Sequence, residues 1–160
     1  MKTTLLVAMA LAPAVARAQD VAEPPAVFSA AGSFFALSVD DIDASVRWYR
    51  QKLGMKVVLN ARLNDATIVV LEGGGLIVEL IDRADAVSLR SVAPQTAENI
   101  NRVHGYVKAG VIVDDWDALL RVLREREVEI VMGPFPKRPD KRANLAIKDN
   151  SGNLLQFFGK

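Results

Sequence analysis

The sequence predicts an α+β fold made of two β-α-β-β-β modules in tandem, whose strands form a cup-shaped mixed sheet. Three observations carry that expectation. The stretch Val39-Asp40-Asp41-Ile42-Asp43-Ala44 returns as Val113-Asp114-Asp115-Trp116-Asp117-Ala118, 74 positions later, and the match continues without a gap through Arg47 and Arg121, Arg50 and Arg124, Val57 and Val131. A repeat of this length is too long for a solenoid unit and too short for two independent domains, so the copies are expected to share a sheet or cleft. Within each copy a strand-like run gives way to helical spacing and then to further short strand-like runs.

The first residues read as a leader. Lys2 gives a positive start, Leu5 to Ala16 an apolar run, and Ala16-Arg17-Ala18 a small-x-small cleavage site, so residues 1–18 are expected to be a signal peptide cut after Ala18. The apolar run is shorter than the about 20 residues a spanning helix needs. The expected product is soluble and secreted or periplasmic. Residues 19–32, with Pro24 and Pro25 among small residues, read as a flexible linker.

Residues 33–160 read as one domain: module one over about 33–82, a connection over 83–106, and module two over about 107–160. Module one opens with a strand over Phe34–Val39. Asp40-Asp41 offers a helix N-cap, because a carboxylate accepts the free amides of a first turn. Ile42, Val46, Tyr49 and Leu53 follow at helical spacing, and Gly54 suits the position just past the helix end. Strands are expected over Met55–Ala61, Ala66–Glu72 and Gly75–Ile81, with Asn64-Asp65 and Gly73-Gly74-Gly75 as turns. The connection is irregular, with a short helix expected around Thr96–Arg102. Module two repeats the order: strand Val107–Val113, cap Asp115, a helix bearing Trp116, Leu120 and Leu123, strand Val128–Met132, a basic proline-rich loop from Gly133 to Arg142, then strands Ala143–Asp149 and Leu154–Phe158. Trp48, Tyr49 and Trp116 read as core, and the glycine run as a turn without the strand-to-helix setting of a phosphate cradle.

Composition narrows the partners. The leader holds only Lys2 and Arg17 as charges, so the 20 basic and 19 acidic residues of the whole chain become 18 and 19 after cleavage. That balance gives no electrostatic case for nucleic acid or an anionic membrane surface. The chain has no cysteine, which excludes thiol catalysis and thiolate metal sites.

Val39-Asp40-Asp41-Ile42 with Ser45, Trp48-Tyr49 and Leu53-Gly54-Met55, together with the closing turn Asp149, Ser151, Gly152 and Asn153, resembles the vicinal oxygen chelate superfamily: glyoxalase I, extradiol dioxygenases, bleomycin and fosfomycin resistance proteins. The likeness covers about residues 34–158, with Asn150 where proline is common. It implies two metal ligands from each module, one on its first strand and one on its last. In the register of the repeat these positions are Phe34, Glu79, Lys108 and Gln156. Phenylalanine cannot ligate, a protonated lysine repels a cation, and glutamine is a weak neutral donor. Only Glu79 is a good ligand, so the chelating set is expected to be lost. No cofactor is expected, with a divalent metal as the alternative. His104, the only histidine, rules out a two-histidine site within one chain and reads as a loop residue.

Strand alternation places the four positions on one face. Phe35, Leu37 and Val39 should lie under the helix, and Phe34, Ala36 and Ser38 opposite. Leu76, Val78 and Leu80 should pack below while Ile77, Glu79 and Ile81 face the cup, as should Lys108, Gly110 and Ile112 and Leu154, Gln156 and Phe158. The candidate ligand-binding set is therefore Phe34, Ser38, Glu79, Lys108, Gln156 and Phe158. Glu79 reads as the ion-pair partner of Lys108, or as a general base with Lys108 polarising the substrate. Lys137, Arg138, Lys141 and Arg142 read as a solvated loop or as a clamp for an anion. The leading expectation is an exported protein binding a small anionic or aromatic molecule without the metal. The alternatives are a glyoxalase-like lyase or isomerase, metal-dependent or using Glu79 as base, and a structural homodimer.

Overall fold

The computed structural model describes residues 32–94 and 106–160. The expected leader, almost all of the linker, the helix expected around Thr96–Arg102 and His104 lie outside them. Ala31–Lys160 forms one compact unit. Its order is β1 Phe34–Ser38, α1 Ile42–Leu53, β2 Lys56–Arg62, β3 Ala66–Gly73, β4 Leu76–Arg83, α2 Leu89–Val92, β5 Lys108–Val113, α3 Trp116–Glu125, β6 Ile130–Phe135, β7 Asn144–Lys148 and β8 Leu154–Gly159. Among the described residues no helix is long and apolar enough to cross a membrane.

The duplicated Asp-Asp segment builds the same joint twice. Asp41 is extended and accepts the Ala44 amide at 2.8 Å; Asp115 accepts the Ala118 amide at 2.8 Å. Each carboxylate satisfies an amide that the first helical turn leaves free, and so fixes where its helix starts. Gly54 ends α1 at φ 71°, a conformation a side chain would strain.

The strands form two four-stranded mixed sheets, ordered β1-β4-β3-β2 and β5-β8-β7-β6. In each, the first strand runs parallel to the last, and the other pairs are antiparallel. The registers match: Ala36 stands opposite Glu79 and Gly110 opposite Gln156, while Val70 pairs with Glu79 and Ala146 with Gln156. Alternation then divides each sheet. Leu37, Val39, Val69, Leu71, Val78 and Leu80 are buried on one side of the first sheet, and Ala109, Leu145, Ile147, Leu155 and Phe157 on one side of the second. These residues, with Tyr49 and Leu123 from the helices, form a single core cluster.

The extent of β6 differs from expectation. β6 runs on through Gly133 and Pro134 to Phe135, which pairs with Asn144, so the basic loop begins later than Gly133. Gly133 is required there: at φ 81° its missing Cβ would lie 2.8 Å from the Asn144 carbonyl oxygen. In the connection, the described helix is Leu89–Val92, capped by Ser88.

The modules meet through their helices and turns. The Tyr49 hydroxyl donates to Asp149 Oδ2 at 3.0 Å, and Asp149 also accepts the Ser151 and Asn153 amides and the Asn153 side chain. Buried Ser45 accepts from Asn150 at 3.0 Å. Lys52 and Arg126 are equivalent in the repeat, and each donates to the other's backbone carbonyl. Equivalent residues meet reciprocally only beside the axis that relates two copies, so an approximate two-fold axis passes at the ends of α1 and α3.

Burial, then the charge and hydrogen bond of Asp149, raise the Tyr49 phenol far above its ordinary value. The folded chain therefore keeps a proton that the unfolded chain loses near the ordinary phenol value of 10.0. The resulting stability is full below that pH and falls as pH rises beyond it. Urea titration should show Tyr49→Phe destabilised by about 1–3 kcal/mol at neutral pH. Melting curves above pH ~10 should fall less steeply for the variant than for the parent chain.

Candidate functional site

The helices cover one side of each sheet and leave the other open. On the first sheet the open side carries Phe34, Ala36 and Ser38 from β1 and Ile77, Glu79 and Ile81 from β4. Phe34 and Ser38 flank Ala36, the residue opposite Glu79, so the three candidate side chains share one patch. Phe34 is 67% exposed and Glu79 half-buried.

The second sheet repeats the plan with different chemistry. Lys108 pairs with Leu154, Gly110 with Gln156, and Ile112 with Phe158. Lys108 is exposed, Phe158 half-buried, and Ile112 62% exposed. Gln156 is buried in the central strand, where its Nε2 lies 3.4 Å from Asn144 Oδ1. Asn144 escaped the sequence reading. The available signal was strand parity, since Asn144 and Ala146 fall on the same side as Gln156.

The six candidates therefore stand in two groups: Phe34, Ser38 and Glu79 on one sheet, and Lys108, Gln156 and Phe158 on the other. β1 and β5 are edge strands of separate sheets. Among the described residues no ion pair joins Glu79 to Lys108; the ion pairs are Arg83 with Asp65 and Asp85, and Lys160 with Asp114. The expected Glu79–Lys108 pair is thus not made within one chain, because the core gathers the covered sides of the sheets and leaves the open sides apart.

The donor set does not fit a divalent metal. Phe34 offers no lone pair, Lys108 brings a cation, and Gln156 is buried with its amide turned to Asn144. Glu79 is the one anionic donor among the four, and among the described residues no three His, Cys, Asp or Glu side chains are grouped to hold an ion. The basic loop is exposed: Arg138 bridges to Lys141, and Lys137 Nζ donates to the Lys160 carbonyl at 3.3 Å. Trp48 and Trp116 pack against the core and Tyr49 is fully buried, so none of the three lines an open face.

The model of the glyoxalase/bleomycin resistance protein/dioxygenase superfamily matches residues 33–157. A solved glyoxylase/bleomycin resistance protein/dioxygenase domain from Frankia sp. EAN1pec is similar, at 21% identity and TM-score 0.63, covering 82% of this chain and 98% of that one. TnmS3, an antibiotic binding protein from Streptomyces sp. CB03234, is similar at 17% identity and TM-score 0.57, covering 84% and 98%. A glyoxalase I mutant from Zea mays is similar at 18% identity and TM-score 0.54, covering 77% of this chain but 43% of that one. At these identities the likeness is one of fold. No curated protein matches in sequence.

The two sides of β4 and its neighbour should respond oppositely to truncation. Phe34→Ala and Lys108→Ala remove groups that a single chain leaves exposed and, at dilutions where copies do not associate, should change the urea-derived stability by less than about 0.5 kcal/mol. Leu80→Ala, one residue from Glu79 but on the covered side, should cost about 2–5 kcal/mol.

Proposed function

Since the chain belongs to the glyoxalase/bleomycin resistance protein/dioxygenase superfamily, we propose that it is an exported protein that binds a compact aromatic or anionic molecule in a cup lacking the superfamily's divalent metal. The observation that carries this reading is Phe34. An aromatic ring stands, largely exposed, at a position where the resemblance places a metal ligand, beside the single carboxylate of Glu79. Covering such a ring with a ligand removes apolar surface from water and is worth roughly 1.5–3 kcal/mol. The antibiotic-binding description of TnmS3 fits a superfamily cup used for binding.

The cup itself is completed by a second copy of the chain. One open face carries an anion, Glu79, and the other a cation, Lys108, and each leaves a large apolar side chain in solvent, Phe34 at 67% and Ile112 at 62%. Laying the module-one face of one copy over the module-two face of another joins Phe34, Ser38 and Glu79 to Lys108, Gln156 and Phe158 and neutralises both charges. A general-base role for Glu79 is less well supported, because the charge pairing with Lys108 across the proposed interface leaves that ammonium no longer free to polarise a substrate. Export rests on the Leu5–Ala16 apolar run and the Ala16-Arg17-Ala18 site.

Melting curves with fused-ring aromatic acids test the binding. A saturable rise, unchanged by prior dialysis against chelator and lost in Phe34→Ala, is expected; at a hundred times Kd the stabilisation is about 2.7 kcal/mol. A stoichiometric divalent ion whose removal abolishes the rise would overturn the metal-free reading. Mass spectrometry of the exported product should find Gln19 as the first residue, and an intact leader would contradict export.

A further inference from the structure

The approximate two-fold symmetry is broken where the helices meet the strand turns, and a cavity lies on one side of the break. In the gap-free repeat, Tyr49 of α1 corresponds to Leu123 of α3. Strand register makes Asp149, at the β7–β8 turn, correspond to Gly73, at the β3–β4 turn: Ala146 pairs with Gln156 as Val70 pairs with Glu79, and each turn residue stands three positions further on. On one side of the axis a tyrosine ring and a carboxylate therefore fill the junction, held by their 3.0 Å hydrogen bond. On the other side stand a leucine and a glycine. Both line a cavity of about 160 Å³ between the modules.

The cavity is separate from the cup. Phe157 and Val113 line it from the covered side of the second sheet, opposite in parity to Gln156, Phe158 and Ile112. Leu53, Met55, Leu76 and Leu119 make the rest of its wall apolar. Two cations, Lys52 and Arg126, also line it. Each donates to a backbone carbonyl at the end of the opposite helix, yet among the described residues neither has an acidic partner. The cavity opens to solvent beside the two cations, and a space of roughly 150 Å³ is large enough for a benzene-sized guest. The uncompensated positive charge selects an anionic one.

We propose that this cavity is a second ligand site, taking a single-ring aromatic carboxylate. The guest's ring occupies the space that the Tyr49 ring fills in the symmetry-related half, and its carboxylate takes the free donors of Arg126 and Lys52. Because the walls come from both modules, the guest ties the modules together as the Tyr49–Asp149 bond does on the other side.

Calorimetric titration of the full chain with benzoate, toluene and acetate tests the assignment. Benzoate should bind saturably, toluene more weakly and acetate not at all. Leu123→Tyr restores the symmetry and fills the cavity, and should abolish benzoate binding; should that variant not fold, the surface variant Arg126→Gln decides alone. Arg126→Gln should weaken benzoate roughly tenfold or more by removing a charge-assisted contact while leaving toluene unchanged. Absence of benzoate binding, or binding that survives Arg126→Gln undiminished, would overturn the proposal.

Discussion

The covered sides of both sheets are drawn into one core, and that constraint shapes everything else in the domain. Leu37, Val78 and Leu80 from the first module and Leu145, Leu155 and Phe157 from the second belong to the same buried cluster. Tyr49 reaches from α1 to Asp149 on the β7–β8 turn and seals the cluster with a buried hydrogen bond. A buried phenol and carboxylate that lacked each other would be costly, so the bond fixes how the modules meet. Once the apolar sides are committed to each other, no helix among the described residues covers the opposite sides. The exposure of Phe34 and Ile112 follows from that commitment.

The residues at the superfamily's ligand positions suit those open faces better than they suit an ion. A metal site needs several lone pairs converging from rigid elements. This chain keeps the rigid elements, with matched registers in both sheets, but fills the positions with an aromatic ring, a carboxylate, an ammonium and a buried amide. A face with Phe34 and Glu79 and another with Lys108 at one end and Ile112 beside Phe158 at the other complement each other in charge and in apolar surface. In the proposed two-chain cup they would oppose each other and line a cavity of the kind that holds small molecules.

The repeat made the fold legible. The Asp41 and Asp115 caps, Gly54 at the end of α1 and the strand parities all stand where local rules put them, because each depends on neighbours in sequence. The parity argument also grouped Phe34, Ser38 and Glu79 on one side of the first sheet and Lys108, Gln156 and Phe158 on one side of the second, as the strand registers have them. Whether the two faces meet was not legible, since it depends on the packing of one module against the other. The same limit hid Asn144 beside Gln156 and the Tyr49–Asp149 bond, whose partners lie far apart in the chain. The end of β6 was misplaced because Gly133-Pro134 is a turn signal in sequence, while in the structure Phe135 still pairs with Asn144.

Sedimentation velocity on the cleaved chain tests the completed cup most directly, using charge exchange between the faces. The account predicts a two-chain species that Lys108→Glu dissociates, by setting two carboxylates against each other, and that adding Glu79→Lys in the same chain restores. A monomer that binds its ligand at full affinity, or a dimer indifferent to both substitutions, would contradict it.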